Sequence, residues 1–318
     1  MIFFKQNSEI ISVPEINLTD QFFRISQRGV QEDLLDSLKR QSLIEPLVLK
    51  KNENKPFTVI FGFNRLSCLL EIGVPEVEAI VLDEILLDHY LKYVYLKNFR
   101  NEIGPVGKLK LILIFKDYFN LDQKEILKIG QKGLNYPVEF VKNEYLLTNF
   151  FKFPSELLDY LDQKKISFRL IKALLSLPQS GLKFLTNWIK FTKMRVNVFK
   201  QALALIIDII HRDQTSDQLG KIDLSFFSEE TDKRAIEEYL LKRLFVLRYP
   251  DYSCWQNKVS EVKKYFLDQG FEIHFPDYFE SENIKFSLEM SKGDDFSVIQ
   301  KKITSLNQIK IKQLLELL

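Results

Sequence analysis

Gly62, Asn64 and Arg65 carry the clearest chemistry in this 318-residue chain; they lie inside FTVIFGFNRLSCLLEIGVPEVEAIV, from Phe57 to Val81. A β-rich run ends at Gly62 and a helical pattern begins directly after it. At such a junction the first backbone N–H groups of the helix have no intrahelical partner, and glycine lets an anion approach the backbone. Arg65 falls one turn into the helix, where a guanidinium can close over the same anion. The spacing suits a phosphate-bearing ligand.

The remaining catalytic inventory is thin. His89, His211 and His274 lie in separate segments, with no cysteine, carboxylate or second histidine at ligand spacing, so no metal site is assigned. Cys68 and Cys254 are equally isolated, and a reduced, cytoplasmic setting is the simplest expectation. Neither a Walker-type nor a Rossmann-type glycine loop occurs. No catalytic residue is assigned.

The elements that must position the glycine junction read as follows. Leu34 to Lys50 predicts a helix, a short turn and a strand, and Phe57 to Val81 predicts strand, turn, helix and strand. Together they predict an N-terminal α/β domain over residues 1–99. Val106 to Phe119 is apolar near every third or fourth position, Leu121 to Ile129 opens on a cap at Asp122, and Val138 to Phe151 is periodic again. Helices joined by a Gly-bearing turn are what a helix-turn-helix requires, so residues 100–213 are expected to form a helical DNA-binding domain. Its candidate reading helix, Pro137 to Asn149, offers Lys142, Asn143 and Asn149, with Lys132 in the preceding turn. Glu139 and Glu144 on the same stretch oppose that role.

Asp208 to Leu224 reads as a linker to a small C-terminal α/β domain, residues 214–318. There a helix is expected over Thr231 to Arg248, a turn at YPDYSCW and a helix over Trp255 to Gln269. Paired strands at Phe271 to Phe275 and Ile284 to Met290 follow, then two terminal helical runs. The fold class is therefore α+β and multidomain.

Charge is nearly balanced at +2 overall but unevenly placed. Residues 100–213 carry 19 Lys and Arg against 11 Asp and Glu, whereas residues 1–99 carry 11 against 14 and residues 214–318 carry 15 against 18. A basic middle favours a polyanion partner, and binding through it would weaken steeply with salt. With 46% apolar residues the chain is ordinary globular material, and no run reaches bilayer-spanning length or resembles a secretory signal.

In this order the chain resembles the ParB family of partition proteins, whose N-terminal domain shares its fold with sulfiredoxin. The likeness is carried by ISVPEI (Ile11 to Ile16), Arg24 in FFRIS, the LLDSLKRQSLIEPLVL helix and strand, and the GFNR box with its trailing IGVPEVEAIV. It continues through KNFRNEIGPVGKL (Lys97 to Leu109) and FKFPSELLDYLDQKKISFRLIKALLSLP (Phe151 to Pro178). The family's phosphate box is typically Gly-Glu-Arg-Arg-x-Arg. Gly62 and Arg65 keep their places in it, while Phe63, Asn64 and Ser67 depart. Sulfiredoxin has its reactive cysteine directly after the glycine, where this chain has Phe63, which argues against peroxiredoxin repair.

The resemblance implies that Gly62, Asn64 and Arg65 contact nucleotide phosphates and that Arg24, Asn98 and Arg100 complete the pocket, with CTP as the ligand. It further implies a bacterial, nucleoid-associated homodimer that closes as a clamp on double-stranded DNA, with a ParA-type ATPase as partner. The expected task is chromosome or plasmid partition, or related transcriptional control. In the family a glutamate precedes the asparagine matched by Asn98 and helps hold magnesium; here it is Lys97, which offers no lone pair while protonated and carries the wrong sign for a cation. Two rivals stand beside this reading. One is a scaffold that keeps the fold and binds a protein partner without nucleotide or DNA activity, and the other is an enzyme of nucleotide hydrolysis or phosphotransfer.

Overall fold

The computed structural model describes residues 8–26, 32–41, 45–53, 56–100, 103–223, 227, 231–274, 284–288, 295–304 and 306–316. The chain is mixed α/β and mostly helical, and it divides into two compact units, one ending at Glu237 and one beginning at Glu238.

The first unit opens with β1 (Glu9–Ser12), α1 (Glu32–Gln41), β2 (Leu47–Lys50), β3 (Thr58–Phe61), α2 (Phe63–Ile72), β4 (Glu76–Leu82) and α3 (Leu87–Phe99). The strands form one sheet in the order β1-β4-β2-β3. β2 pairs parallel to β4, with Leu47 opposite Ala79; β1 runs antiparallel to β4 and β3 antiparallel to β2. Every residue of β3 is buried, and so are Leu47, Val48 and Leu49 of β2, which explains their unbroken apolar runs. α1 and α2 cover one face, where Leu38, Leu66 and Leu69 meet Leu47, Leu49, Val59 and Ala79. Gly73 ends α2 in the left-handed region and returns the chain to β4.

A helical array follows: α4 (Pro105–Leu113), α5 (Gln123–Ile129), α6 (Val138–Lys142), α7 (Glu144–Phe150), α8 (Ser155–Gln163), α9 (Phe168–Leu174), α10 (Gln179–Thr192) and α11 (Val196–Asp213). α5 starts where its sequence says, on a reciprocal capping box between Asp122 and Glu125, both bonds being 2.8 Å. α4 starts on a long-range device instead. The buried Asp162 of α8 accepts from the Val106 N–H at 3.0 Å and the Gly107 N–H at 3.4 Å, which satisfies helix donors and places negative charge at the N-terminal end.

The expected linker at 208–224 is not a bare connection where it is described. α11 runs to Asp213, and a 3-10 turn at Asp217–Lys221 follows, with Leu219 and Ile222 buried. The Ser180 and Ser216 hydroxyls hydrogen-bond to each other. The boundary between the units falls later, inside α12 (Lys233–Arg248).

The second unit carries α13 (Pro250–Asp268), β5 (Phe271–His274), β6 (Lys285–Leu288), α14 (Phe296–Thr304) and α15 (Gln308–Leu315). β5 and β6 pair antiparallel, with Phe271 opposite Leu288, and Phe271 and Ile273 pack with Val262, Phe266 and Leu314. YPDYSCW is not a turn: proline suits the first helical position, so Pro250 starts α13 and only Tyr249 separates it from α12.

Candidate functional site

The strand–glycine–helix junction is present as β3, Gly62 and α2. Gly62 has φ +102°, and a Cβ there would lie 2.6 Å from Leu47 Cδ2 and 3.3 Å from Arg65 Nη2. The glycine is thus required twice, by its backbone conformation and by the closeness of a buried strand residue. The Arg65 guanidinium lies against this turn. Its Nη1 donates to the Glu45 and Pro46 carbonyl oxygens, the latter at 3.2 Å, and lies 3.6 Å from the Glu45 carboxylate. Arg65 therefore fastens the entry to β2 as well as flanking the turn.

These residues open onto a cleft of about 440 Å³ whose lining includes Arg24, Glu45, Gly62, Asn64, Arg65, Tyr93 and Lys97. The Asn64 Oδ1 is buried without a hydrogen-bond partner among the described residues. Arg24 is held by bonds from Nε to the Ser26 carbonyl oxygen and from Nη1 to Gln21 Oε1, each 3.0 Å. Burial lowers its pKa, and the nearby Asp159 of α8 partly restores it. Burial in turn raises the Asp159 carboxyl, and Arg24 pulls it back. Part of the lining comes from α3. The Tyr93 ring stacks on Phe61 at 3.6 Å between centroids, and Lys97 Nζ lies 5.5 Å from the centre of the Tyr93 ring.

Of the residues expected in the pocket, Arg24, Gly62, Asn64 and Arg65 line one cleft. Asn98 and Arg100 are not among its lining residues. The Asn98 amide donates to the Gly133 carbonyl oxygen at 2.9 Å, and Arg100 is exposed just past the end of α3. Tyr93 is not among the residues expected at the site, and Lys97 enters there only as the lysine at the position of the family's metal-holding glutamate; both line the cleft. The sequence signal for Tyr93 is its spacing of four from Lys97, which puts both on one helix face beside the buried Tyr90 and Val94.

The expected reading helix Pro137 to Asn149 is not continuous. The chain leaves helical geometry at Asn143 (φ −122°, ψ 98°), whose side chain caps α7 by accepting from the Leu146 N–H at 3.3 Å. Asparagine competes with the helix by bonding its own backbone neighbours, and here that competition wins. Lys132 is exposed in the wide turn Gly130–Leu134 and Lys142 is exposed at the end of α6. Asn149 donates to the Tyr145 carbonyl oxygen at 2.9 Å and accepts from Lys152 at 3.0 Å. The opposing acids are paired, Glu139 with Lys172 and Glu144 with Lys116 at 2.7 Å.

Fold and site together define a mixed α/β protein with a cation-lined cleft at a glycine turn. Neither a family model nor a curated protein matches the chain. Among solved structures it is similar to the C-terminally truncated chromosome-partitioning protein ParB from Caulobacter crescentus complexed with CTP-gamma-S, at 14% identity over 58% of this chain and 99% of that one, with a TM-score of 0.24. It is also similar to a Pnob8-like ParB-N domain, at 17% identity over 80% of this chain and 97% of that one, with a TM-score of 0.30. Both likenesses are remote, and the functional reading rests on the cleft. No helix among the described residues is long and apolar enough to cross a membrane.

Proposed function

We propose that the chain is a ParB-like, nucleotide-regulated DNA-binding protein of chromosome or plasmid partition, with the cleft at Gly62 as its nucleotide site. The observation that carries this reading is that Arg24, Arg65 and Lys97 line one cleft together with the glycine turn at the start of α2 and the Tyr93 ring. Helix-terminal N–H groups and cations suit phosphates. CTP is the nucleotide the family resemblance implies. The basic helical region supports duplex DNA as the partner, with the exposed Lys132 and Lys142 proposed for phosphate contacts and Asn143 and Asn149 as further candidates. By the same resemblance the working form is a homodimer that engages a ParA-type ATPase.

Calorimetric titration of CTP, with ATP and GTP as controls, tests the cleft, and a duplex shift assay across salt tests the DNA arm. Selective CTP binding together with a DNA shift that falls steeply with salt is expected. A second reading is favoured by the break at Asn143, which turns a reading helix into two short ones with Asn143 used as a cap. In that reading the chain binds nucleotide and a protein partner without reading DNA. CTP binding with no duplex shift at low salt would select it.

A further inference from the structure

The cleft departs from the magnesium-assisted chemistry that the family resemblance implies. Magnesium needs near-octahedral oxygen ligands, usually including one or two carboxylates together with the phosphates themselves. The described lining offers one carboxylate, Glu45, and it is committed to Arg65 at 3.6 Å. Asn64 Oδ1 is a neutral oxygen, and three cations, Arg24, Arg65 and Lys97, face the same space. Among the described residues no three or more His, Cys, Asp or Glu side chains are grouped so as to hold a metal ion. This donor set does not fit a divalent cation.

We infer that the cleft binds its polyphosphate without a divalent metal, Lys97 supplying the positive charge that a metal would bring. This rests on the nucleotide reading of the cleft. Lys97 is placed by packing as well as by sequence. Phe61 immediately precedes the glycine turn, Tyr93 stacks on Phe61, and Lys97, one helical turn beyond Tyr93, lies over the Tyr93 ring. The ammonium is thus carried on an α3 face that lines the same cleft as the glycine turn. A lysine is a compact point charge with rotatable donors, which suits a phosphate oxygen.

Titration of CTP into the full chain, once in excess EDTA and once in magnesium, decides the matter without any variant. The wild-type dissociation constants in the two buffers are expected to agree within about threefold. Lys97→Gln should weaken binding in EDTA by about tenfold or more, Lys97→Arg should restore most of it, and Lys97→Glu should bind only when magnesium is added. Matching far-UV circular dichroism will show that the variants are folded. Binding that requires magnesium in the wild type, or a Lys97→Gln variant with wild-type affinity in EDTA, would overturn the inference and leave the nucleotide site standing. No binding of CTP, ATP or GTP in either buffer would remove both.

Discussion

Replacing Gly62 by alanine tests the geometry of the junction, and Gly73 provides its control. Both glycines sit at positive φ, +102° and +79°, so an alanine at either position carries the left-handed penalty of about 1–2 kcal/mol. They differ in surroundings: a Cβ at Gly62 would lie 2.6 Å from Leu47 Cδ2, whereas a Cβ at Gly73 meets nothing within 4 Å. Leu47 is fully buried in the sheet, so displacing its Cδ2 disturbs the packing around it and Gly62→Ala adds an overpacking cost of about 1–3 kcal/mol. The expected losses are about 2–5 kcal/mol for Gly62→Ala and about 1–2 kcal/mol for Gly73→Ala. The lower unfolded-state entropy of alanine offsets both variants alike and cancels in the difference. Urea unfolding of the first unit, followed by far-UV circular dichroism with slopes compared between variants, reads that difference directly. Equal losses, within about 0.5 kcal/mol, would mean that Leu47 does not confine the turn.

Three further outcomes are expected. Asp162→Ala removes a buried acceptor that serves two N–H groups of α4, and should destabilise by about 3 kcal/mol in urea unfolding, with Asp162→Asn costing less because an acceptor remains. Asn98→Ala should cost only about 0.5–1 kcal/mol, the worth of one exposed neutral hydrogen bond to Gly133, and leave CTP titrations unchanged; a lost CTP signal would return Asn98 to the site. The Asp159 carboxyl has a raised pKa in the folded state, so its favourable contribution is fully present below the unfolded carboxylate value of about 4 and is lost as pH rises through the folded value. Asp159→Asn should therefore gain stability relative to wild type as pH is raised across that window. A constant difference in parallel melts would refute the burial argument.

The residues that announce local structure could be read directly from the chain. The strand, glycine turn and helix of 57–81 and the Asp122 cap depend on periodicity, glycine and short-range hydrogen bonds contained within a few residues, and each strand of the β5–β6 pair shows its own short apolar alternation. The same locality accounts for Arg24, Gly62, Asn64 and Arg65 meeting in one cleft only in part. Gly62, Asn64 and Arg65 are neighbours on one turn, whereas Arg24 arrives through a loop held near Asp159.

What tertiary structure decided is which face each helix turns inward. Asn98 follows Lys97 by one residue, yet a helix rotates by more than a quarter turn over that step, so Lys97 meets the cleft and Asn98 reaches Gly133 instead. Packing of Tyr93 on Phe61 fixes that rotation, and no pattern within α3 specifies a contact made with a strand. The start of α4 likewise depends on a carboxylate 56 residues away. At Asn143 a local cap overrode a helical period that extended across it. Sequence determined where the elements of this protein begin and end wherever capping and turns are local, and the three-dimensional fold decided which side chains share a site, because that depends on contacts between segments distant along the chain.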